Sequence, residues 1–247
     1  MKRKVVLISG ASKGIGKALA IGFAKTGHDV IIHYHQDKQG AILTQKACEA
    51  LDVKACVIEC DIRDQQQVKT MIQHCIKEFA TIDILICNAG IIKDRLLMLM
   101  AETDFDNVID VNLKGTFFLI KHASKIMARA KKGCILTIAS AVAHTGNIGQ
   151  ANYAASKAGV IALTKTAALE LATYDIRCNV ISPGLIESNM SDVLDHEHRQ
   201  RFIEKTAVKR IGKTQDVVNI ALFLTSEDAR YITGQVFCVD GGIVMGG

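Results

Sequence analysis

The sequence predicts an α/β protein with a doubly wound sheet of about seven parallel strands and helices on both faces. Two observations predict this fold class. Short apolar runs alternate with longer amphipathic segments along the chain, which is typical of parallel strands that are buried on both faces and connected by helices. A glycine-rich loop also follows the first apolar run, where folds of this class often bind a ligand.

Seven apolar runs are predicted to be strands, at residues 5–8, 30–32, 55–58, 84–87, 134–138, 178–181 and 236–239. The segments between them are predicted to be helical, among them residues 17–26, 65–79 and 105–129. Right-handed crossovers then give a doubly wound sheet that binds ligands at the carboxyl ends of its strands. The chain has 247 residues, one proline and no linker-like stretch, so we expect a single domain over residues 1–247.

The composition argues against several classes of function. The net charge of +5 does not imply nucleic-acid binding, although a basic patch would suffice for an acidic carrier or a phosphorylated ligand. The apolar run after MKRK is too short for a signal-peptide core, and no apolar stretch approaches the length of a bilayer span. Eight cysteines without a CxxC pair indicate reduced, buried thiols. We therefore expect a cytoplasmic protein without a metal or a membrane contact.

The glycine-rich loop indicates a dinucleotide-binding turn, and hence a Rossmann fold. It consists of Gly10, Ala11, Ser12, Lys13, Gly14, Ile15 and Gly16. Glycines allow a tight turn and let backbone N–H groups approach a pyrophosphate at the start of a helix. The spacing is GxxxGxG rather than GxGxxG, and glycines also serve ordinary turns. The position of the loop, directly between the first strand and the first helix, favours the nucleotide-binding interpretation.

The end of the second strand bears on the choice between NADH and NADPH. NAD sites usually place an acidic residue there to hold the ribose 2′-hydroxyl, but the first acid in this chain is Asp37, beyond that position. Lys13 in the glycine loop could meet a 2′-phosphate, with His35 as a weaker partner. These residues favour NADPH. The alternative is that Lys13 is simply solvated.

Further polar residues follow the third and fourth predicted strands. Asp61 follows the third, and Asn88, Ala89 and Gly90 follow the fourth, so all four could line the cofactor cleft. Asp61 could equally cap the helix that starts near Asp64. Asn112 falls within a predicted helix, where asparagine is mildly unfavourable. It indicates a kink or a bound water there, or else an exposed position.

Ser140, Tyr153 and Lys157 form the candidate catalytic group. Tyr153 and Lys157 are four residues apart in an alanine-rich segment predicted to be helical, so they share one helix face. A phenol has a pKa of about 10, and a neighbouring cation is expected to lower the pKa of Tyr153 toward working pH. Ser140, after the fifth strand, could hold a substrate oxygen. Tyr-x-x-x-Lys also occurs by chance on exposed helices, so this interpretation depends on the other motifs.

Taken together, these motifs resemble the short-chain dehydrogenase/reductase family over essentially the whole chain. The resemblance includes the glycine loop, CNAG at residues 87–90 where the family usually has NNAG, Asn112, Ser140, Tyr153 to Lys157, Pro183, Gly184 and the DGG of residues 240–242. Residues 91–100, 146–159 and 183–190 resemble in particular its 3-oxoacyl-[acyl-carrier-protein] reductases.

The resemblance implies roles for individual residues. Tyr153 would protonate a carbonyl oxygen as hydride arrives from the nicotinamide, Lys157 would bind the nicotinamide ribose and favour the tyrosinate, and Ser140 would orient the substrate oxygen. Asn112 would hold a water that relays protons to Lys157. The implied cofactor contacts also include Asp61 at the adenine amino group, Asn88 to Gly90 along the cofactor, and Ile186 and Ser188 at the carboxamide side of the nicotinamide. Pro183 and Gly184 are further implied cofactor contacts.

Residues 188–210 are predicted to be a helical lid over the substrate. In this segment His196 and His198 more readily form a solvated helix face than a metal site. The resemblance also implies a homotetramer, built through the helices at 102–130 and 150–174 and the C-terminal strand.

Basic residues near the site could steer an acidic carrier protein. Relatives are thought to dock the carrier through two basic residues, of which one position matches Lys131 and the other falls at the uncharged Tyr174. The alternative is that the lysines only confer solubility.

Three functions are compared. The favoured one is NADPH-dependent reduction of a 3-oxoacyl thioester on acyl carrier protein, in the synthesis of fatty acids or related acyl chains. The second is reduction of a CoA-bound thioester or another small ketone. The third is a non-catalytic nucleotide-binding protein, which is disfavoured because Ser140, Tyr153 and Lys157 are all present.

Overall fold

The computed structural model describes residues 3–187 and 196–245. Its seven strands form one parallel sheet in the order β3-β2-β1-β4-β5-β6-β7. The strands are β1 Val5–Ile8, β2 Asp29–Tyr34, β3 Ala55–Glu59, β4 Ile84–Cys87, β5 Gly133–Ile138, β6 Ile176–Pro183 and β7 Val236–Val239. All seven predicted strands are confirmed, and the doubly wound Rossmann fold with them.

Nine α-helices are present in the described residues: α1 Gly14–Lys25, α2 Lys38–Glu49, α3 Gln65–Phe79, α4 Glu102–Ile109, α5 Gly115–Ala130, α6 Val142–Thr145, α7 Ala151–Leu171, α8 His196–Lys205 and α9 Thr214–Thr225. No helix of the described chain is both long enough and apolar enough to cross a bilayer.

The core consists of two apolar layers, one on each face of the sheet. On one face α1, α2 and α9 bury side chains such as Phe23 and Val217. On the other face α3, α5 and α7 bury Met71, Leu119 and Ala167. Because both faces are covered, the strands are apolar throughout rather than alternating. Since helices cover both faces, ligands can reach the sheet only at the ends of its strands.

The order of the strands reverses at β1, which pairs with β2 on one side and with β4 on the other. Connections from these neighbouring strands leave in opposite directions, so a crevice opens at their carboxyl ends. The glycine loop follows β1 and Asn88 follows β4, which places both at this switch point.

The helix predicted over residues 105–129 is interrupted. A π-helical turn, Asp110–Lys114, separates α4 from α5, and Asn112 lies in its middle. Single π-turns inside helices are frequent at functional sites. A π-helical turn thus lies where Asn112 indicated an irregularity in the helix. The alternative that Asn112 is exposed is wrong, because the residue is fully buried.

The eight cysteines are all free thiols. The prediction that they are buried holds for six of them, but Cys56 is half-buried and Cys238 is exposed. Cys56 lies in β3 and Cys238 in β7, the two outermost strands of the sheet. Outer strands have a neighbour on one side only, which explains why these thiols are less well covered.

Candidate active site

The glycine loop is packed tightly against the end of β4. Gly10 and Gly14 have left-handed φ values of 65° and 55°, which favour glycine. A Cβ atom on Gly16 would overlap the Gly10 carbonyl oxygen and lie 2.5 Å from Asn88 Nδ2. Asn88 Nδ2 donates hydrogen bonds to the carbonyl oxygens of Ser9 and Gly10 at 3.0 and 2.9 Å. Asn88 therefore braces the loop from the neighbouring strand.

The start of α1 is open to an anion. The Lys13 side chain makes no capping hydrogen bond, and the first turn contains no acidic residue. The first backbone N–H groups of a helix have no intrahelical acceptor and carry a partial positive charge. Gly14, Ile15 and Gly16 present these groups at the switch point, with the half-buried Ser12 and the exposed Lys13 beside them. The cradle fits a dinucleotide pyrophosphate, because uncapped backbone N–H groups at the start of a helix bind anions.

Asp61 is held by an arginine that the sequence analysis missed. Its carboxylate accepts hydrogen bonds from Arg63 Nε and from Arg63 Nη2, the latter at 2.6 Å, and His35 Nε2 lies 3.8 Å away. The hydrogen bond from the Arg63 side chain is the main cause that lowers the pKa of Asp61 below its ordinary value. Asp61 and His35 are thus close together at the ends of β3 and β2.

The alternative role of Asp61 as a helix cap is wrong. Asp64 caps α3, because its Oδ1 accepts hydrogen bonds from the backbone N–H groups of Gln66 and Gln67. The Asp61 carboxylate instead accepts from the backbone N–H and the guanidinium of Arg63. The sequence signal for this was the D-x-R spacing of Asp61 and Arg63.

The candidate catalytic residues lie at the same edge of the sheet. Ser140 follows β5, and its Oγ accepts a hydrogen bond from the backbone N–H of Val142. Tyr153 and Lys157 lie on α7, and Lys157 Nζ is 5.7 Å from the centre of the Tyr153 ring. Lys157 is only 4% exposed, and its Nζ donates to the carbonyl oxygen of Ile138, at the end of β5, at 2.7 Å. The structure brings the phenol and the amine together as the spacing predicts.

Burial shifts both groups toward their neutral forms. It lowers the pKa of Lys157 to about 8. It also raises the pKa of Tyr153 above its ordinary value, and the nearby Asp94 adds to the rise, while the Ser140 hydroxyl opposes it. The predicted lowering of the Tyr153 pKa is therefore wrong for the protein without ligands. The Lys157 amine bonds to a carbonyl oxygen and faces the phenol ring, so its charge does not outweigh desolvation.

Asn112 borders the same site from the π-turn. Its Oδ1 accepts from the Ile91 N–H at 2.8 Å, and its Nδ2 donates to the Ile91 carbonyl oxygen and to Ser156 Oγ. A Cβ atom on Gly90 would lie 3.2 Å from Asn112 Oδ1 and 3.5 Å from Lys157 Nζ. Asn112, Gly90 and Lys157 therefore share one wall of the cleft. Asn112 Oδ1 accepts one hydrogen bond among the described residues and so keeps a second lone pair as an acceptor.

Two residues at the start of α7 were also missed by the sequence analysis. Gln150 Nε2 donates to both carboxylate oxygens of Asp94, and Asn152 Nδ2 donates to the carbonyl oxygens of Lys93 and Asp104. These bonds attach the first turn of α7, which carries Tyr153, to the loop after β4 and to α4. The polar residues directly before Tyr153 were a signal for this anchoring.

The remaining predicted cofactor residues follow β4 and β6. Ala89 accompanies Asn88, and the N–H groups of both donate to Ser9 Oγ. Pro183 ends β6, and its carbonyl oxygen accepts from the Ala141 N–H. Gly184 follows it, and Ile186 is 5% exposed. Ser188 and the first part of the predicted lid lie outside the described residues, whereas its later part contains α8.

A pH profile is expected to show the lowered Lys157 pKa. Proton donation needs a neutral Tyr153 phenol and is favoured by a charged Lys157 amine beside it. The value of kcat/KM for ketone reduction, which reflects the free enzyme, should therefore be level at lower pH and fall as pH rises through about 8. In Lys157→Arg the falling limb should move to higher pH, because a guanidinium stays charged. If kcat/KM fell at the same pH in the wild type and in Lys157→Arg, the fall could not be assigned to Lys157.

The fold and this site define a class of protein: a nicotinamide-dependent oxidoreductase with a Rossmann fold. A glycine loop open to pyrophosphate lies at the switch point, and a Ser-Tyr-Lys group lies at the same strand edge.

Comparisons with known proteins give the family. The family model described as enoyl-(acyl carrier protein) reductase matches residues 10–244. A curated relative, the 3-oxoacyl-[acyl-carrier-protein] reductase FabG of Staphylococcus aureus, is 42% identical over 98% of both chains. The FabG of Thermotoga maritima is 40% identical over 99% of both chains. A solved structure from Sinorhizobium meliloti 1021, described as a short-chain alcohol dehydrogenase, superposes with a TM-score of 0.94 at 32% identity, covering 98% of this chain and 97% of the other. The chain belongs to the short-chain dehydrogenase/reductase family.

Proposed function

We propose that the protein reduces 3-oxoacyl thioesters carried on acyl carrier protein, using NADPH, in fatty-acid or related acyl-chain biosynthesis. The observation that carries the proposal is the convergence of Ser140, Tyr153 and Lys157 on the cleft beside the glycine loop. Full-length similarity to reductases of this name supports the choice of substrate. The free cysteines support a reducing compartment, and hence a cytoplasmic location.

In the proposed reaction the bound nicotinamide supplies the hydride, and the protein supplies orientation and a proton. Ser140 Oγ donates a hydrogen bond to the ketone oxygen. Tyr153, whose raised pKa keeps the phenol protonated, transfers its proton to the same oxygen as the carbonyl carbon is reduced. The charge left on the phenolate is stabilised by Lys157. A water on Asn112 then returns a proton through Lys157.

The acyl thioester enters as a ketone and leaves as a 3-hydroxyacyl thioester, with one hydride and one proton added. The Asn112 carboxamide suits a relay position because the π-turn directs its Oδ1 to the wall that it shares with Lys157. Ser156, which accepts from Asn112 Nδ2 at 3.1 Å, keeps the carboxamide in that orientation.

NADPH rather than NADH is proposed because β2 ends in Tyr34 and is followed by His35 and Gln36, with no acidic residue at the usual position for the ribose 2′-hydroxyl. Lys13 is exposed beside the anion cradle, and His35 lies beside Asp61. We expect Lys13→Ala to raise the Kd for NADPH by about tenfold, the value of one charge-assisted hydrogen bond, and to leave the Kd for NADH unchanged. Lys25→Ala, at the far end of the same helix, is the matched control. Equal losses for both nucleotides, or tighter binding of NADH by the wild type, would refute this preference.

The experiment that tests the substrate compares acetoacetyl groups on carrier protein and on CoA with the same enzyme. The carrier substrate is expected to have the higher kcat/KM. Equal or better rates with CoA would favour the second candidate, a reductase of CoA thioesters or small ketones. If the protein oxidised NADPH with none of the ketones tested, the third candidate, a non-catalytic nucleotide-binding protein, would be favoured.

Lys131 is proposed as one carrier contact. It is exposed just beyond α5, and Tyr174, at the other matching position, is 44% exposed. We expect Lys131→Glu to raise the KM for the carrier substrate several-fold, without changing the KM for the CoA substrate, because rim charges act mainly on encounter. Tyr174→Lys should lower the carrier KM, and Lys46→Glu on α2 is the control. A Lys131→Glu protein with an unchanged carrier KM would remove this residue from docking.

A homotetramer is also proposed from the family resemblance. Exposed apolar side chains on the two long-helix segments support it: Phe105 on α4, Phe117 on α5 and Leu169 on α7, which is 81% exposed. Such side chains suit a protein interface. Light scattering on the purified protein should give the mass of four chains, and a monomer mass would contradict the proposal.

A further inference from the structure

A buried histidine connects the ends of the first three strands in the nucleotide half of the sheet. His33 lies in β2 and is 2% exposed. Its Nδ1 accepts a hydrogen bond from the backbone N–H of Gly10 at 3.1 Å, and its Nε2 lies 2.9 Å from the carbonyl oxygen of Cys60. Its own carbonyl oxygen accepts from the Ala11 N–H. One residue thus holds the loop after β1 and the residue that follows β3.

The partners of His33 determine its tautomer. A backbone N–H only donates, so Nδ1 must be without a proton to accept from Gly10, and a carbonyl oxygen only accepts, so Nε2 must carry the proton that bonds to Cys60. Burial lowers the pKa of His33 to about 4, and the hydrogen bond to the Cys60 carbonyl opposes this only in part. The imidazole is therefore neutral, in a single tautomer, throughout the physiological range.

We propose that His33 is a positioning residue for the nucleotide: its Nδ1 holds the pyrophosphate loop in place through the Gly10 N–H, and its bond to the Cys60 carbonyl selects the tautomer in which Nδ1 can accept. The inference rests on the proposed use of NADPH. His33 lies beneath the cleft, with both ring nitrogens bonded to backbone, so it acts through the loop rather than by contact with the nucleotide. Without it, the half-buried Gly10 N–H loses its acceptor and the turn loses its anchor to β2.

Three substitutions separate the two ring bonds. Asparagine places its Oδ1 near the position of Nδ1, so His33→Asn keeps an acceptor for the Gly10 N–H. Glutamine reaches the position of Nε2, so His33→Gln keeps a donor for the Cys60 carbonyl. His33→Leu keeps neither. We expect the Kd for NADPH to stay within about threefold of wild type in His33→Asn and to rise about tenfold or more in the other two, with a smaller change in kcat at saturating NADPH.

The matched control is His122, another buried histidine. It lies on α5, and its Nε2 has no hydrogen-bond partner among the described residues. His122→Leu is expected to leave the Kd for NADPH unchanged. Thermal unfolding of each variant reports general loss of stability, and the comparison of asparagine with glutamine remains decisive if the leucine variant does not fold. Equal Kd values in His33→Asn and His33→Gln would overturn the proposal.

The tautomer provides a test that is independent of the cofactor. Nitrogen NMR of the free protein with labelled histidine should show His33 with a bare Nδ1 and a protonated Nε2, unchanged from pH about 8 down to about 5. A protonated Nδ1, or titration at the ordinary pKa of histidine, would overturn the proposed geometry. If the wild type failed to bind NADPH while this signature was present, the proposed function would fail and the His33 geometry would stand.

Discussion

Tyr153→Phe is expected to reduce turnover of a 3-oxoacyl thioester by roughly a thousandfold, within the range of a lost general acid, while NADPH still binds. The substitution removes only the phenol oxygen. The ring remains beside Lys157, and the start of α7 remains fixed by Gln150 and Asn152. Steady-state rates of NADPH oxidation give the loss in kcat, and a fluorescence titration gives the Kd for NADPH.

The control for this substitution is Tyr231→Phe. Tyr231 is fully exposed before β7, so removal of its hydroxyl should change neither kcat nor the Kd. Turnover by Tyr153→Phe within about tenfold of wild type would remove the tyrosine from proton transfer, because a general acid contributes more than that.

Gly16→Ala is expected to abolish measurable NADPH binding, with a Kd raised by at least about a hundredfold. The new methyl group would overlap the Gly10 carbonyl oxygen and crowd Asn88 Nδ2, which itself bonds to that carbonyl. Backbone atoms cannot move aside as a flexible side chain can, so the loop must change shape. Such overpacking also costs about 1–3 kcal/mol of stability, and thermal unfolding should show a lower Tm.

Gly27→Ala is the control that distinguishes a general loss of stability from damage to the pyrophosphate-binding loop. Gly27 has a φ of 81°, so alanine there is strained, yet a Cβ atom would meet nothing within 4 Å. A left-handed conformation costs a non-glycine residue about 1–2 kcal/mol. This variant should therefore lose stability and keep its affinity for NADPH. Wild-type affinity in Gly16→Ala would show that the loop after β1 does not hold the nucleotide.

Much of the fold could be predicted because its signals are local. Continuous apolar runs identified all seven strands, and glycine spacing identified a nucleotide-binding turn after the first of them, since both signals depend on neighbouring residues. Asn112 indicated an irregularity between α4 and α5 because asparagine is mildly unfavourable within a helix. The pairing of Tyr153 with Lys157 followed from helix geometry alone.

Other features depend on contacts between distant residues. Burial of Tyr153 and the hydrogen bond from Lys157 to Ile138 decide the direction of the tyrosine pKa shift, and neither is visible in the spacing. His33 is a strand residue in the sequence, and its hydrogen bonds with Gly10 and Cys60 form only once three strands are adjacent. The contact between Arg63 and Asp61 could have been predicted from the sequence, because the two residues are only two positions apart.

A crystal structure with NADPH bound tests the central claim most directly. The proposed function requires the Tyr153 hydroxyl and the Lys157 amine to face the nicotinamide and its ribose at the carboxyl edge of the sheet, with the pyrophosphate on the start of α1. A fully occupied site in which those two side chains point away from the nucleotide would contradict the proposed reductase mechanism.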